Sequence, residues 1–168
     1  DGGFYTLLVG CTDMGTGCHP IQAQKAAACL DCSNDQIADR GVDTDQSPYD
    51  TGSYASSTTY VTGMAVVKTC QELREKILAA GARLLGVSPE RAEFDGGRVF
   101  LPADGREVSL TAIGEAGVMG DSRALSATQA HSSPISPPPF MVGMAEIDLD
   151  PDTGEVDVVD YVAVVDCG

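Results

Sequence analysis

Residues 10–30 read GCTDMGTGCHPIQAQKAAACL, a glycine-rich turn that passes directly into an alanine-rich run. Gly10, Gly15 and Gly17 fall within eight residues, and no β-branched residue follows Ile21. Alanine and unbranched side chains favour a helix. Pro20 fits the first turn, where a missing N–H group costs little. The stretch therefore predicts a turn followed by a helix over residues 21–30.

A strand is predicted on each side of this turn and helix. Residues 4–9, FYTLLV, are rich in β-forming side chains and end at Gly10. A second short strand is predicted over residues 37–42, before a run of Asp, Ser, Pro and Gly that favours turns. Glycine lets the backbone approach a ligand closely, and free N–H groups at a helix start attract anions. The turn is thus a candidate binding loop.

A second, longer helix is predicted over residues 61–85. Its start extends back to Thr58, which gives a length of roughly 40 Å. The side chains of residues 56–58 are suited to cap it, and Gly86 is suited to end it. Apolar side chains recur at spacings of four and three, as on one face of a helix: Val66, Cys70, Leu73, Ile77, Ala80 and Leu84.

The third part of the chain combines a hairpin, a short helix and an irregular stretch. Residues 92–94 and 98–101 flank the turn Asp95-Gly96-Gly97, which is typical of a hairpin. A short helix is predicted over residues 109–118. Residues 120–140 hold serines and four prolines, and so long a loop is uncommon inside a domain unless it is functional or a linker.

The chain closes on two strand signals, which complete the fold prediction. Apolar and acidic side chains alternate within residues 141–149, and residues 156–165 are mostly apolar. The segment between them, DPDTG, is rich in residues that form turns. The order of elements predicts an α+β fold, with two long helices packed on a mixed β-sheet and a C-terminal β-hairpin.

Composition excludes several classes of partner. The chain has 168 residues, enough for one domain, and a net charge of −15. Such acidity repels nucleic acids and anionic membranes, because both are bound mainly through Lys and Arg. No apolar run approaches twenty residues, and no leader peptide is visible, so no membrane partner is expected. The first residue is Asp rather than Met, which suggests a fragment.

Six cysteines without a leader predict reduced thiols and a cytoplasmic protein rather than a disulfide framework. Cys29 and Cys32 form a CxxC pair. It is either a redox pair or half a metal site, or it is two small core residues near a helix end. No second CxxC and no matching histidine pair is present, which favours the core interpretation. The six are Cys11, Cys18, Cys29, Cys32, Cys70 and Cys167.

The start of the second helix repeats the first arrangement. Residues 51–59, TGSYASSTT, place Gly52 and a cluster of hydroxyl groups ahead of it. Two such helix starts could converge on one anionic group, or both could be merely well-capped helices. No GxGxxG pattern and no P-loop lysine is present, so ordinary dinucleotide and nucleoside triphosphate sites are excluded.

Other candidate groups are weaker. Asp43, Asp45 and Asp50 could bind a divalent cation, but they lack the EF-hand spacing and its terminal glutamate. Turn formation is the better explanation of these aspartates. Ser56 has no obvious histidine partner, since both histidines are isolated in the sequence, and a serine triad is not favoured.

Three blocks of the sequence resemble the large, molybdenum-binding subunit of the xanthine dehydrogenase and aldehyde oxidase family. They stand in the family's order and are most like its bacterial xanthine dehydrogenase branch. They read TDMGTGCHPIQAQKAAACL (12–30), DTDQSPYDTGSYASSTTYVTGMAVVKTCQELREKI (43–77) and GMAEIDLDPDTGEVDVVDYVAVVDCG (143–168).

The resemblance implies a cofactor and the residues that bind it. The cofactor is molybdenum held by molybdopterin, often in its cytosine dinucleotide form. Many family members carry glutamine at Thr16 and arginine at Ser57, so these contacts are expected to differ here. The implied cofactor-binding residues form two loops: Met14, Gly15, Thr16 and Gly17 in the first, and Tyr54, Ala55, Ser56, Ser57 and Thr58 in the second.

The resemblance also implies a division of the chain and a set of partners. Residues 1–118 are the expected cofactor-binding α/β portion, residues 119–140 a Pro/Ser-rich loop, and residues 141–168 a hairpin that completes the same domain. The expected partners are the remainder of the molybdenum subunit and the iron–sulfur and FAD subunits or domains. The resemblance implies that the 2Fe-2S and FAD groups lie there, and the cysteines of this chain lack ferredoxin spacing.

The family reaction is hydroxylation of a purine, another N-heterocycle or an aldehyde, with a glutamate as base. That glutamate belongs to a Gly-Glu motif expected beyond Gly168; Glu115 precedes the last block and does not match it. No catalytic and no metal-ligating residue is therefore expected in this chain, and the fragment alone is expected to be inactive. Two alternatives stand beside cofactor binding, a structural or assembly module and a phosphoryl-binding regulator.

Overall fold

The computed structural model describes residues 2–120, 124–135 and 138–166. The chain divides into two compact units, residues 1–134 and 135–168, which are described in turn. Helices and strands are mixed, which confirms the α+β prediction. The strands of the described residues form three separate small sheets instead of the single mixed sheet predicted.

The first unit begins with a strand–helix–strand arrangement. Strand β1 (Tyr5–Leu7) pairs in parallel with β2 (Ile37–Asp39), and helix α1 (Cys18–Leu30) connects them. Parallel neighbours need such a crossover connection. The predicted helix is confirmed, but it begins three residues earlier, directly after Gly17, whose φ of 74° is left-handed.

Helix α2 (Gly63–Leu85) is the longest element of the first unit. A π-helical turn, Thr58–Thr62, leads into it. The capping prediction is wrong at Ser57, which precedes this turn, because its side chain caps no helical N–H group; its hydroxyl donates to the Gly52 carbonyl instead, at 2.8 Å. Gly86 ends the helix in a left-handed conformation, as predicted.

A three-stranded antiparallel sheet follows α2. Strands β3 (Glu93–Phe94), β4 (Arg98–Phe100) and β5 (Glu107–Ser109) lie in sequence order. The predicted hairpin supplies the first two; β5 was not predicted, because three residues after a turn carry little periodicity. Helix α3 (Leu110–Gly120) confirms the predicted short helix. None of the helices in the described ranges combines the length and apolar character needed to cross a bilayer.

Two hydrophobic cores stabilise the first unit, and α2 contributes to both. In the first core, Val66 and Cys70 of α2 pack with Leu30 of α1. In the second, Ile77 packs with residues of the three-stranded sheet, among them Val99. Burial of this apolar surface is the main force that holds helices and sheets together.

Arg74 joins the two halves of this unit. Its guanidinium donates to the Cys29 carbonyl at 3.3 Å and to the Phe94 carbonyl at 2.9 Å. It also lies 5.1 Å from the centroid of the Phe94 ring, a cation–π distance. The end of α1 and strand β3 are thus tied to the middle of α2.

The second unit is a long hairpin, which confirms the two predicted C-terminal strands. Strand β6 (Phe140–Leu149) pairs antiparallel with β7 (Val156–Asp166), with an irregularity between Glu146 and Ile147. Asp150 closes the turn, since its Oδ1 accepts from the N–H of Asp152 at 2.8 Å. How the hairpin completes the domain stays a prediction.

The thiols of the described residues are free, and Cys167 lies outside those residues. Cys29 and Cys32 pack against the first core, as the core interpretation predicts. Burial, with further contributions from neighbouring thiols, raises the pKa of Cys11 and that of Cys70 to about 12, from an ordinary value of 9.0. These two thiols are therefore poor nucleophiles at neutral pH.

The raised thiol pKa values predict alkaline destabilisation. The unfolded thiols ionise near pH 9, whereas Cys11 and Cys70 keep their protons in the folded chain to about pH 12. Their contribution to stability is therefore complete below pH 9 and is lost as the pH rises from 9 towards 12. We expect urea midpoints to fall more steeply over pH 9–10.5 in the wild type than in the double variant Cys11→Ala, Cys70→Ala. Equal slopes would contradict the prediction.

Candidate functional site

The two loops singled out in the sequence follow the carboxyl ends of β1 and β2. Parallel strands bring their carboxyl ends to one edge of the sheet, which is where open α/β sheets bind ligands. The loops are in contact there: the Ser53 hydroxyl donates to the Thr12 carbonyl at 2.9 Å. The structure thus brings together the two segments that the sequence predicted to converge.

Gly10 allows this close approach. A Cβ atom on Gly10 would lie 2.2 Å from the Pro48 carbonyl oxygen and 2.8 Å from the Asp50 Cβ. Both distances are shorter than real Cβ contacts. The start of the first loop therefore packs directly on the backbone of the second, and only glycine leaves room for it.

The first loop folds around the carboxylate of Asp13. Its Oδ1 accepts from the N–H groups of Gly15, Thr16 and Gly17, at 2.8, 2.9 and 3.2 Å. These hydrogen bonds, that of Gly15 foremost, hold the Asp13 pKa below its ordinary value. The sequence predicted that these N–H groups would be free for an anion, and in the structure they are taken by Asp13. The side chain of Met14, by contrast, is 67% exposed.

The second loop contains two consecutive left-handed residues that are not glycine. Ala55 has a φ of 48° and Ser56 a φ of 62°. Such conformations cost on the order of 1–3 kcal/mol each and concentrate at functional sites. Two hydrogen bonds between Tyr54 and Ser57 close the turn around them: Tyr54 O accepts from Ser57 N at 2.9 Å, and Ser57 Oγ from Tyr54 N at 3.1 Å.

Asp50 ties the second loop to the entry of α2. One carboxylate oxygen accepts from the Gly52 N–H at 2.8 Å and the other from the Thr62 hydroxyl at 3.0 Å. Asp43 similarly accepts from the Asp45 N–H at 2.9 Å. The aspartates thus form turns, as the sequence indicated. Within the described ranges no three His, Cys, Asp or Glu side chains are placed to hold a metal ion.

Helix α1 holds the second loop through two side chains that sequence reasoning missed. Gln22 Nε2 donates to the Thr58 carbonyl at 2.8 Å, and the Lys25 ammonium donates to the Thr59 carbonyl. Gln22 is fully buried, and its Oε1 has no hydrogen-bond partner among the residues that the structure describes. Three-residue spacing places the two side chains on one helix face. That spacing is visible in the sequence, but their backbone targets on another element are not.

The two histidines make hydrogen-bond contacts with residues outside the two loops. His19 Nδ1 lies 2.8 Å from Asp39 Oδ2, which joins the start of α1 to the end of β2. His131 contacts Lys68 on α2. A cavity of about 200 Å³ beside α2 and α3 is lined by residues such as Arg83 and Ile113, and none of its lining residues belongs to the two candidate binding loops.

The family model described as the molybdopterin cofactor-binding domain matches residues 1–168. The "Probable hypoxanthine oxidase XdhD" of Escherichia coli K12 is 32% identical over 167 residues, covering 99% of this chain and 17% of the relative. The "6-hydroxypseudooxynicotine dehydrogenase complex subunit gamma" of Paenarthrobacter nicotinovorans is 27% identical over 158 residues, covering 90% of this chain and 20% of the relative.

A solved structure supports the same relationship. The carbon monoxide dehydrogenase of Oligotropha carboxidovorans superposes with a TM-score of 0.74 and 25% identity, over 94% of this chain and 20% of that one. The chain therefore spans about a fifth of the length of the proteins it matches. With the family model matched over its full length, the chain belongs to the molybdopterin cofactor-binding domains of the xanthine dehydrogenase and carbon monoxide dehydrogenase family.

Proposed function

We propose that this chain is the part of a molybdenum subunit in which two loops hold molybdopterin, within an enzyme that hydroxylates purines, other N-heterocycles or aldehydes. The observation that carries the proposal is the contact between the loops at the carboxyl edge of β1 and β2. The similarity to a probable hypoxanthine oxidase supports the purine class.

The two loops differ in how well their residues suit the binding of a large polar group such as molybdopterin. The second loop, Tyr54–Thr58, keeps two left-handed residues that only surrounding contacts can maintain, as at ligand sites. In the first loop, Met14 exposes its side chain, but the N–H groups of Gly15–Gly17 contact the cofactor only if the Asp13 carboxylate rotates away. We therefore assign the second loop the larger share of binding.

When bound, molybdenum and its pterin supply the redox chemistry of hydroxylation. This chain's own residues bind and orient the group. We propose that the catalytic glutamate and the substrate contacts lie elsewhere in the subunit, and that 2Fe-2S and FAD lie on other domains or subunits. A cytosine dinucleotide form of the cofactor and a cytoplasmic location complete the proposal; the free thiols are consistent with a reducing compartment.

The proposal extends to the domain boundaries. We propose that residues 1–118 and the hairpin at 141–168 belong to one cofactor-binding domain joined by the loop at 119–140. The expected partners are the remainder of the subunit and the iron–sulfur and FAD subunits. The name of one relative, subunit gamma of a dehydrogenase complex, supports an assembly of this kind.

One observation favours the alternative of a structural or assembly module that binds nothing by itself. The Asp13 carboxylate already satisfies three N–H groups of the first loop. A partial site also binds weakly, because the other donors are missing and desolvated groups stay unpaired.

Calorimetry with purified molybdopterin separates the two functions. We expect the 168-residue chain to bind, but more weakly than the intact molybdenum subunit used as positive control. Binding by the intact subunit with no heat for the chain would favour the structural module. Stabilisation by nucleotides alone in a melting assay would favour the phosphoryl-binding regulator instead.

A further inference from the structure

Gln22 violates an ordinary rule of protein interiors. Its side chain is fully buried on α1, yet no group in the described part of the chain donates a hydrogen bond to its Oε1. Buried polar groups are almost always paired, because an unpaired one loses its hydration without compensation. A methionine of similar size would fill the same space without leaving a buried acceptor unpaired. The amide thus carries a cost to stability that a methionine would not.

The nitrogen of the Gln22 amide, in contrast to its oxygen, makes a hydrogen bond. Gln22 Nε2 donates to the Thr58 carbonyl at 2.8 Å. Thr58 is the first residue of the π-helical turn, and its carbonyl also accepts the N–H of Gly63 at the far end of that turn. A reversed amide would place oxygen against oxygen, so the Thr58 contact fixes the orientation of the side chain.

The Thr58 carbonyl lies next to the strained part of the second loop. The left-handed residues Ala55 and Ser56 precede Thr58 by three and two positions, respectively. Neither residue adopts such a conformation unless its surroundings hold it there. A hydrogen bond that anchors the Thr58–Thr59 peptide, shortly after this segment, limits how far the loop can relax.

Lys25 repeats the contact one turn later on α1. Its ammonium donates to the Thr59 carbonyl, and burial lowers its pKa. Gly63 makes room for it, since a Cβ there would lie 1.8 Å from the Lys25 Nζ. Two neighbouring carbonyls of the second loop are thus held by two side chains of the helix that follows the first loop.

We propose that Gln22 is a positioning residue that couples the two cofactor loops, holding the second loop in its binding shape at the expense of its own unpaired oxygen. The inference rests on the proposed function, because the loop is assigned a binding shape only if it holds molybdopterin. It gives the buried amide a role in the local shape of the loop and in binding, with no net gain in the global free energy of unfolding.

The test replaces Gln22 by methionine and follows stability and binding separately. A merely structural amide would change both together or neither. We expect Gln22→Met to unfold at the same urea concentration as the wild type or a higher one, while its Kd for purified molybdopterin rises about tenfold. Hydrogen exchange at residues 58–63 is expected to accelerate at least tenfold without cofactor. Gln71→Met, the same change at an exposed position of α2, is the matched control and should alter neither.

A second variant, at another position, keeps the test valid if Gln22→Met fails to fold. Gly63→Ala pushes the Lys25 ammonium from the Thr59 carbonyl by displacing only the end of a flexible side chain. It is expected to accelerate exchange in the same segment. Wild-type binding combined with unchanged Kd and unchanged exchange in Gln22→Met would overturn the inference. No binding by the wild type, with accelerated exchange in both variants, would overturn the proposed function and leave the positioning role standing.

Discussion

Gly81→Ala is expected to destabilise the chain by about 3 kcal/mol, as forced overpacking of a core does. Gly81 is buried in α2, and a Cβ there would lie 2.5 Å from the Cβ of Val99 and within 2.8 Å of both its methyl carbons. Val99 is fully buried on β4, the middle strand of its sheet. Rotation about χ1 of Val99 moves its methyl carbons but leaves its Cβ in place, so no rotamer relieves the 2.5 Å approach. Urea unfolding of the purified chain measures the loss.

Two further variants distinguish this contact from a general effect of alanine. Shortening the partner in the double variant Gly81→Ala, Val99→Ala should recover about 1–2 kcal/mol relative to the sum of the single changes, since the residues are in direct contact. Gly114→Ala, in α3, where the added carbon would meet no described atom within 4 Å apart from its chain neighbours and its own helix backbone, should instead stabilise by about 0.5–1 kcal/mol. Equal effects of Gly81→Ala and Gly114→Ala would contradict the packing explanation.

The elements with strong local signals could be predicted from the sequence. The periodic apolar residues of α2, its Gly86 terminus and the DPDTG turn each have a mechanism that acts within a few residues. The contact between the loops was also predictable, because a glycine-rich segment follows each of two candidate strands and parallel strands end at one edge.

Two kinds of feature could not be predicted from the sequence. Some depend on contacts with residues distant in the sequence, and others depend on which of two acceptors takes the same N–H groups. Asp13 was available in the sequence, but whether its carboxylate or a ligand takes the Gly15–Gly17 N–H groups depends on a backbone path that residue types do not determine. The π-helical turn at Thr58–Thr62 replaces a capped helix start because Asp50 and Gln22 hold its polar groups from other elements. The separation of the two sheets of the first unit likewise follows from their packing in two cores along α2.

Gly10→Ala is expected to weaken molybdopterin binding more than tenfold and to cost about 2–3 kcal/mol of stability. The added carbon would lie 2.2 Å from the Pro48 carbonyl oxygen, an atom of the backbone that no side-chain rotation can move. The second loop must therefore shift away from the first as a unit. Because both loops are assigned to one ligand, their separation costs binding in addition to packing. Calorimetry and urea unfolding on the same preparation measure the two effects.

Ser53→Ala is the matched control for Gly10→Ala, since it removes the hydrogen bond between the loops and leaves their close approach intact. The Ser53 hydroxyl donates to the Thr12 carbonyl at 2.9 Å on the exposed side of the contact, and such a bond is worth about 1 kcal/mol. We expect a smaller loss of stability than in Gly10→Ala and a change of Kd below threefold. Binding by Gly10→Ala with the wild-type Kd would contradict a site shared between the loops, because a ligand held by one loop alone is indifferent to the position of the other.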